Sequence, residues 1–323
     1  MPNFEEKQPV CLLLAGGFAT RLWPLTEKRA KPLLPLAGKP LIRHIIEKIP
    51  AHIPLIISTN QQFQDDFEHL KSEFPNRNLT VFIEDSDSDQ SKRGALAATA
   101  LVIDEFGIDS PLLLIAGDNF FGFNMQSFLE SYTGKSVLAS YDTKSLEAAR
   151  QFGVVDIDGK KLVGFVEKPQ DPPSTLVSTG CYLFSPEDLM HIKDYSLLNA
   201  DNLGGVFEYL LARKQDVEVF QFDEEWIDIG SFESYLAAHN QLMDGSDVHH
   251  TSAVSNSTLG DAVHIGENVV IEDSVLEEVI VMDNCVIKNS HLRSCIIDKG
   301  CVIEGVDLTK KMIRAGSEIQ HEE

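Results

Sequence analysis

The sequence has few cysteines, no long apolar run and a shortage of positive charge. Its five cysteines are scattered and form no C-x-x-C pair, so neither a disulfide framework nor a zinc site is predicted. No apolar run reaches the roughly 20 residues that a membrane-spanning helix requires. The first nine residues carry two Glu and no apolar stretch, unlike a signal peptide. These absences favour a soluble protein of a reducing, cytoplasmic compartment.

Acidic residues outnumber basic ones. Fifty Asp and Glu against 27 Lys and Arg give a formal net charge of −23. Nucleic acids and anionic membranes both require a basic surface, so neither is an expected partner. With 43% hydrophobic residues the chain can bury a sizeable core, and its 323 residues suggest about two domains.

Residues 1–243 predict an α/β domain. Short apolar runs alternate there with helical stretches, and continuous apolar runs suit the buried strands of a parallel sheet. The alternation predicts a doubly wound, Rossmann-like and mostly parallel sheet that binds ligands at the carboxyl ends of its strands. The predicted strands are Val10–Ala15, Leu55–Asn60, Leu79–Glu84, Leu112–Asp118 and Ser136–Tyr141. The predicted helices are Leu41–Ile49, Phe63–Phe74, Leu96–Asp104, Met125–Tyr132 and one that starts near Ser231.

Residues 244–323 predict a second domain of different character. Apolar anchors recur every five or six residues, with Gly and Asn between them. This interval is too long for simple strand alternation and fits the hexapeptide repeat of a left-handed parallel β-helix. Ordinary strands with frequent turns are the alternative. The anchors are Leu259, Ile265, Ile271, Leu276, Val281, Ile287, Leu292, Ile297 and Ile303.

A glycine turn and a basic loop follow the first predicted strand. Gly16 and Gly17 allow a tight turn whose N–H groups can face phosphate oxygens. From Arg21 to Arg43 there are six basic residues and one acid, a local charge of +5 in a chain of −23. Four prolines prevent one continuous helix there, so the cations lie on a constrained loop. A fixed cationic loop beside a glycine turn suits a polyphosphate site, whereas composition alone favours a solvated basic loop that balances acids elsewhere.

The motifs in this loop are recognisable. Gly-Gly-x-x-Thr-Arg-Leu-x-Pro-Leu-Thr, followed by Lys-Pro-Leu-Leu-Pro-Leu and Gly-Lys-Pro, resembles the signature of the sugar-1-phosphate nucleotidylyltransferases. The segments LLIAGDNFF, FGVVDIDGKKLVGFVEKP, STGCYLF and WIDIGSFESY are similar to further blocks of that family, so the resemblance covers most of the chain. A β-helical tail is a known appendage of several members.

The resemblance implies transfer of a nucleoside monophosphate from a nucleoside triphosphate to a sugar 1-phosphate. Arg21, Lys31 and Lys168 match the family's catalytic cations. Asp118 and Asp228 match its Mg²⁺ ligands, a hard cation that prefers carboxylate and phosphate oxygens. Nucleotide binding is assigned to Leu14, Ala15, Gly16, Gly17, Thr20, Glu84 and Gly94. Sugar binding is assigned to Asn119, Gly153, Glu167, Lys168 and Thr179.

The nucleobase segment departs from the common family pattern. Ile83–Ala100 lacks the usual proline and spacing, so either Glu84 or Gln90 could read the base edge. The run Asp85, Asp87, Asp89 lacks the glycine of a Ca²⁺ loop and is interpreted as a solvated acidic loop. Glucose 1-phosphate with dTTP or UTP is the favoured pair. Mannose 1-phosphate with GTP is the alternative substrate pair. A catalytically silent, regulatory relative that binds nucleotide or sugar nucleotide is the alternative from another functional class.

The role of the tail is less specified by the sequence. Four histidines lie in or before the repeats, and some β-helix proteins of this kind use a histidine base for acyl transfer. The tail is short and has few repeats from which to build such a site, so packing or homo-oligomerisation is the favoured role. The histidines are His249, His250, His264 and His291.

Overall fold

The computed structural model describes residues 8–17, 19–84 and 94–321, which form two compact units. The first unit contains residues 8–17 and 42–228, and the second contains residues 19–41 and 229–321. This grouping differs from the sequence-based division at residue 243, because the basic loop and the last helix pack with the C-terminal strands. Within the described ranges, no helix combines the length and the apolar character that crossing a membrane requires.

The helices and strands are numbered in chain order. The helices are α1 (Leu41–Lys48), α2 (Gln64–Ser72), α3 (Ala95–Glu105), α4 (Met125–Glu130), α5 (Leu146–Ala149), α6 (Leu189–Ser196), α7 (Val206–Ala212) and α8 (Phe232–Leu242). The strands of the first unit are β1 (Val10–Leu14), β4 (Leu55–Asn60), β5 (Leu79–Glu84), β6 (Leu112–Ala116), β7 (Asn119–Phe121), β8 (Ser136–Asp142), β9 (Gly153–Asp158), β10 (Lys161–Glu167), β11 (Leu176–Phe184), β12 (Val217–Phe222) and β13 (Trp226–Asp228).

The second unit contains the remaining strands. They are β2 (Pro35–Leu36), β3 (Lys39–Pro40), β14 (Ser246–Val248), β15 (Ala253–Ser255), β16 (Thr258–Leu259), β17 (Val263–Ile265), β18 (Val270–Glu272), β19 (Val275–Val281), β20 (Val286–Lys288), β21 (His291–Ile297), β22 (Val302–Glu304), β23 (Asp307–Thr309), β24 (Met312–Ile313) and β25 (Glu318–Gln320). Short 3-10 turns cover Thr20–Leu22 and Lys31–Leu33.

A nine-stranded mixed sheet organises the first unit, in the order β5-β4-β1-β6-β11-β8-β12-β10-β9. The predicted strands and helices are confirmed within a few residues. Strands β5, β4, β1 and β6 are parallel, as their apolar runs predict, and β8 pairs in parallel with β12. The carboxyl ends of β1, β4, β5 and β6 therefore meet at one edge of the sheet.

Strand β11 makes the sheet more mixed than the sequence predicted. It runs antiparallel between β6 and β8, so that Cys181 pairs with Ile115 and Tyr182 with Leu138. Strands β9 and β10 are also antiparallel to each other. Because β11 opposes β6, its first half lies beside the carboxyl end of β6. This reversal places Thr179 near the Gly-Asp-Asn segment.

Parallel strands of the second unit repeat at a regular interval. Ser246 pairs with Val263, and Val275 pairs with His291, so each strand lies beside one that follows it after a nearly constant length of chain. Two parallel sheets result, in the orders β14-β17-β19-β21-β23 and β15-β18-β20-β22-β25. We call residues 246–320 the strand stack, and the stretch from one strand to its parallel partner a coil.

The predicted apolar anchors form the core of the strand stack. Eight of the nine are buried in one cluster, and Leu259 packs against it. Cys285, Cys295 and Cys301 share that cluster, and all five cysteines of the chain are buried free thiols. The apolar residues that recur every five or six positions therefore form a continuous hydrophobic interior along the strand stack.

Candidate active site

The glycine turn after β1 encloses a buried carboxylate. Glu84, the last residue of β5, is 6% exposed, and its Oε1 accepts a hydrogen bond of 2.8 Å from Ser58 Oγ. An ideal Cβ on Gly16 would stand 2.6 Å from the same oxygen, whereas one on Gly17 would meet nothing within 4 Å. Gly16 therefore has to be glycine for the space it leaves to Glu84. No sequence motif predicts that Ser58 holds Glu84 through this hydrogen bond.

Backbone hydrogen bonds fix this turn to the neighbouring strand ends. Ala15 N donates to Ser58 O at 2.7 Å, and Asn60 Nδ2 donates to Gly16 O at 3.1 Å. Leu14 O accepts a hydrogen bond of 2.9 Å from the N–H of the glycine that directly precedes Asp118. Leu14 and Ala15, predicted to bind nucleotide, thus lie next to the carboxyl ends of β4 and β6.

The two predicted metal ligands are brought together by the pairing of β7 with β13. Asp228 lies opposite Asn119 in this antiparallel pair, and Asp118 directly precedes Asn119. Asn119 Nδ2 donates to Asp118 Oδ1 at 2.8 Å, while Trp226 Nε1 donates to Asn119 Oδ1 at 3.0 Å. Both ends of the buried Asn119 amide are therefore engaged, which fixes the orientation of this side chain.

The middle of β11 lies against the same segment. Gly180 has a φ of 78°, and a Cβ there would lie 3.0 Å from Ala116 Cβ and 3.7 Å from Asn119 Nδ2. Thr179 Oγ1 donates to Ala139 O at 2.9 Å, so this hydroxyl supports β8. Sequence reasoning assigned no role to Gly180, although a glycine inside an apolar strand signals a close approach of this kind.

A buried tyrosine stabilises the irregular part of β11. The register with β8 shifts between Ser178 and Tyr182, and their hydroxyl groups lie 2.7 Å apart. Burial raises the pKa of Tyr182 far above its usual value, with a smaller contribution from the negative charge of Glu167, while the hydrogen bond with Ser178 opposes the shift. Tyr182 therefore stays neutral and acts as a structural hydrogen-bonding group.

Glu167 lies against two glycines that come from distant parts of the first unit. A Cβ on Gly153 would be 3.0 Å from Glu167 Oε2, and one on Gly204 would be 2.9 Å from it. The same two positions would place a Cβ 2.3 Å and 2.7 Å from the ring of Phe165. The missing side chains leave room for this carboxylate and ring. The sequence motifs predicted no role for Gly204. The pair Gly204-Gly205 is the sequence feature that could have drawn attention to it.

Lys168 occupies an unusual backbone conformation next to this carboxylate. Its φ is 44°, directly before Pro169, where residues ordinarily adopt extended conformations. Its N–H donates to Phe152 O at 3.1 Å, and its exposed Nζ lies 3.5 Å from Glu167 Oε1. The turn presents a cation beside Glu167 at the end of β10. Backbone strain of this kind is common at functional positions.

Gly94 precedes α3 and approaches another loop closely. Its φ is 89°, and a Cβ would lie 2.5 Å from Ala200 O. The same carbonyl accepts hydrogen bonds from Leu96 N and Ala97 N, at 2.9 and 3.1 Å. The contact with Ala200 is sufficient to require glycine here, and base binding by Gly94 stays a prediction. Gln90 and the acidic run Asp85, Asp87, Asp89 lie outside the described residues.

The second unit carries the other predicted site residues on the segment 19–41, which we call the signature loop. Thr20 and Arg21 lie in the first 3-10 turn and are exposed to solvent. Lys31 begins the second 3-10 turn and is only 8% exposed. Pro32 occupies the next position, where its fixed φ suits the start of a helical turn.

Several charges of the basic stretch have partners within their own unit. Arg29 Nη1 lies 3.6 Å from Asp298 Oδ1 in the second unit. Arg43, in α1 of the first unit, pairs with Glu47 at 2.9 Å and with Glu73 at 2.6 Å. The sum of +5 therefore overstates the charge available to a substrate, and Arg43 is a structural cation.

Helix α8 and the strand after it hold the far end of the signature loop. Tyr235 OH donates to Pro35 O at 2.5 Å, and Ala37 N donates to His239 Nδ1 at 3.2 Å. Burial lowers the pKa of His239 to about 4, and the nearby His264 contributes to this shift while Asp247 opposes it. His239 is therefore neutral near pH 7, as an acceptor at Nδ1 has to be.

The carboxylates of the first unit suit a metal that takes part of its ligands from a substrate. Among residues 8–17, 19–84 and 94–321, no three His, Cys, Asp or Glu side chains gather to hold a metal by themselves. Asp118, directly before β7, and Asp228, the last residue of the paired strand β13, offer two hard oxygen donors. Mg²⁺ ordinarily takes one or two carboxylates and completes its shell with phosphate and water oxygens.

Two known proteins are similar to this chain over most of its length. Bifunctional protein GlmU of Methanocaldococcus jannaschii is 31% identical over 273 residues, covering 83% of this chain and 60% of that protein. A Sulfolobus acidocaldarius protein, provisionally named a mannose-1-phosphate guanyltransferase, is 26% identical over 278 residues. The alignment covers 82% of this chain and 75% of that protein. The chain thus spans about three fifths of its GlmU relative.

A solved structure shows the same fold. A Bacillus anthracis protein, crystallised with sucrose and provisionally assigned as a glucose-1-phosphate thymidylyltransferase, gives a TM-score of 0.64 at 25% identity, over 73% of this chain and 96% of its own. The sequence model of the family described as Nucleotidyl transferase matches residues 10–245, well over half of the chain. The strand-end carboxylates, the glycine turn and this match together establish that the protein belongs to the nucleotidyl transferase family and is an enzyme of that kind.

Proposed function

We propose that the protein transfers a nucleoside monophosphate from a nucleoside triphosphate to a sugar 1-phosphate and releases pyrophosphate. The observation that carries this proposal is the pairing of β7 with β13, which sets Asp228 opposite Asn119 and beside Asp118. Two carboxylates at a strand end, next to a glycine turn, suit a site for a metal-bound triphosphate. The names of the relatives support a sugar 1-phosphate as the acceptor.

The reaction requires charge neutralisation more than covalent chemistry. A phosphate oxygen of the sugar 1-phosphate attacks the α-phosphorus, a new P–O bond forms, and the bond to the bridging oxygen of the β-phosphate breaks. Pyrophosphate leaves with the electron pair of that bond. Arg21 and Lys31 are the cations proposed to neutralise the triphosphate and the departing pyrophosphate, since Arg binds phosphate bidentately and Lys as a point charge.

Asp118 and Asp228 are the residues that would hold Mg²⁺. When bound, the ion would screen the negative charge of the phosphates and orient them. The donor set fits, because both groups are carboxylates and the amide of Asn119 fixes the position of Asp118 Oδ1. Trp226 keeps that amide in one orientation through its bond to Asn119 Oδ1.

The sugar 1-phosphate is proposed to bind beside Glu167. Its carboxylate would accept hydrogen bonds from sugar hydroxyl groups, and Lys168 would attract the phosphate. Because Gly153 and Gly204 have no side chains of their own, they leave room for this carboxylate. Strand β11 is proposed to form one side of this sugar site. Thr179 bonds it to β8, and Gly180 allows its close approach to Asn119.

Glucose 1-phosphate with dTTP or UTP is the pair that the sequence motifs favour. One structural observation favours GTP instead. Glu84 is an acceptor-only carboxylate beside the glycine turn, and guanine offers two adjacent donors, N1–H and the 2-amino group, while uracil and thymine offer one N–H between two carbonyls. Mannose 1-phosphate with GTP, the pair in the name of the Sulfolobus relative, is therefore the second candidate.

The strand stack is proposed to be a left-handed β-helix, in line with its parallel coils and the burial of its repeated anchors. Residues 1–243 and 244–323 are proposed as the catalytic and β-helical parts of the sequence. Homo-oligomerisation through the stack is part of the same proposal.

A substrate matrix tests the proposed function. dTTP, UTP, GTP, ATP and CTP are each combined with glucose, mannose and N-acetylglucosamine 1-phosphates in the presence of Mg²⁺, and pyrophosphate release is measured. Activity with one pair, dependent on both substrates, is the expected result. Silence across the whole matrix would reject the proposed function. A preference for GTP that Glu84→Gln weakens would favour the second candidate over the first.

A further inference from the structure

Three side chains of the strand stack occupy equivalent positions in successive coils. Met282 N donates to Ile297 O at 2.9 Å, and Asp298 N donates to Ile313 O at 3.0 Å. Met282, Asp298 and Arg314 therefore follow one another at a constant interval of one coil, each directly after a paired strand residue. We call these three residues the column, and all three contact the signature loop.

Arg314 contacts the first half of the signature loop in two ways. Its Nε and Nη2 donate to the two carboxylate oxygens of Glu27, at 2.9 and 2.6 Å. Its guanidinium also lies 5.7 Å from the ring centroid of Trp23, which is 57% exposed. A bidentate pair fixes the orientation of both partners, which a single ion pair does not.

The other two residues of the column contact Arg29. Its guanidinium lies 3.6 Å from Asp298 Oδ1 and donates to Met282 Sδ. The side chains of Arg29 and Asp298 are only 14% and 8% exposed. Burial raises the pKa of Asp298, and the positive charge of Arg29 offsets part of that shift. Removing one partner from such a pair leaves a buried charge without compensation.

These contacts bracket the segment between the two proposed phosphate-binding cations. Trp23 is two residues after Arg21, and Arg29 is two residues before Lys31. Glu27 lies between them. The column therefore contacts the signature loop near both ends of the segment that joins Arg21 to Lys31, and also within that segment. The conformation of this segment sets the distance between the two cations.

We propose that Met282, Asp298 and Arg314 are positioning residues for nucleotidyl transfer, acting through Trp23, Glu27 and Arg29 on the placement of Arg21 and Lys31. The strand stack is then a working part of the catalytic apparatus in addition to any role in assembly. This inference rests on the proposed function, because it takes Arg21 and Lys31 to act on the triphosphate. None of the three residues is proposed to touch a substrate.

A charge exchange in the full-length protein tests this inference. Arg314→Glu and Glu27→Arg each place like charges together, and the double variant Glu27→Arg/Arg314→Glu restores an ion pair with reversed polarity. We expect each single variant to lower kcat by about tenfold to a hundredfold, the range in which misplacement of reacting groups acts. The double variant should recover most of that loss.

Arg293→Glu is the matched control. Arg293 belongs to the same stack and pairs with Glu277 at 3.4 Å, on exposed side chains one coil apart. The same charge reversal there should leave kcat within about twofold of the wild type, because exposed pairs contribute little. Asp298→Asn, which keeps the size of the side chain, is a second probe, expected to lower kcat with little change in KM for the sugar 1-phosphate.

Hydrogen exchange of peptides covering residues 19–34 gives a readout that does not depend on turnover. Faster exchange in Arg314→Glu and Asp298→Asn, with wild-type rates in Arg293→Glu and in the charge-exchanged double variant, is the expected result. Unchanged exchange and unchanged kcat in both column variants would overturn the inference. If the wild type transfers no nucleotide, the proposed function fails, while accelerated exchange still shows that the column orders the loop.

Discussion

Glu84 occupies the space that a methyl group on Gly16 would need. Its Oε1 lies 2.6 Å from the ideal Cβ position, and the same oxygen is held by Ser58 Oγ at 2.8 Å. The glycine turn after β1 is therefore shaped by a buried carboxylate, in addition to the phosphate-binding role proposed for its backbone N–H groups. Substitutions at the two adjacent glycines separate these effects.

Gly16→Ala should force Glu84 away from Ser58. Loss of that buried hydrogen bond should cost about 1–3 kcal/mol of unfolding free energy. The KM for the nucleoside triphosphate should rise by about tenfold or more, because the same shift moves Glu84, which is proposed to bind the base. Gly17→Ala is the control, since a Cβ there would meet nothing within 4 Å. Urea unfolding and initial rates measure both; equal damage from the two substitutions would contradict the role given to Glu84.

Asp228→Asn should weaken the dependence of the rate on Mg²⁺. The substitution keeps the size of the side chain but removes one of two anionic donors, so saturation should require about tenfold or more added metal, with a lower maximal rate. A Mg²⁺ titration of pyrophosphate release measures this. Asp223→Asn, at an exposed position five residues earlier, should titrate like the wild type. An unaltered titration in Asp228→Asn would reject the two-carboxylate site.

Glu167→Gln should affect the sugar 1-phosphate more than the nucleotide. A charged acceptor contributes about 1.5–3 kcal/mol to a hydrogen bond with a hydroxyl group, so its loss should raise the KM for the sugar 1-phosphate by about tenfold to a hundredfold. The KM for the triphosphate should change by less than about threefold. Glu147→Gln, at an exposed helix position, is the matched control. A larger effect on the triphosphate would relocate Glu167 to the other substrate.

His239 should make the folded protein less stable as the pH falls. Burial lowers its pKa to about 4, below the value of about 6.5 for an unfolded chain, so the unfolded state binds more protons between these values. Stability from this group is present above pH 6.5 and is lost as the pH falls toward 4. The loss should be about 2 kcal/mol between pH 7 and pH 5.

His239→Asn isolates that contribution. Its side-chain oxygen can accept the hydrogen bond from Ala37 N but does not titrate in this range. Urea unfolding at pH 7 and pH 5 should show a loss about 2 kcal/mol smaller for this variant than for the wild type. His52→Asn, at an exposed position, should retain the wild-type difference. A wild-type pH response in His239→Asn would assign the effect to other groups, such as the neighbouring His264.

Local sequence patterns were enough for the elements that a single apolar run or a regular repeat defines. The apolar runs at 55–60 and 79–84 coincide with β4 and β5, and Asp118 lies just after the carboxyl end of β6. The repeated anchors of the tail are buried as their spacing predicts. In these cases a short apolar run or one apolar face determines the local structure, because burial of its side chains dominates the folding free energy of the segment.

The missed features depend on pairing between distant segments. The antiparallel position of β11 brings Gly180 to Asn119, and nothing local to β11 specifies its direction. Gly204 leaves room for Glu167 although the two residues are far apart in the sequence. The spacing of residues along the chain does not predict such a contact. Counting charges also misled for Arg43, because its partner Glu73 lies in a different helical segment. Such contacts become visible only once the sheet order is known.

The division of the chain has a consequence for protein engineering. The chain leaves the first unit after residue 17 and returns to it at residue 42, so the signature loop and the strand stack belong to one compact unit assembled from two stretches of sequence. A chimera that imports only a relative's tail would pair a foreign column with the native Glu27 and Arg29. Grafts between relatives should therefore carry residues 18–41 together with the tail, and insertions in the stack should come in whole coils.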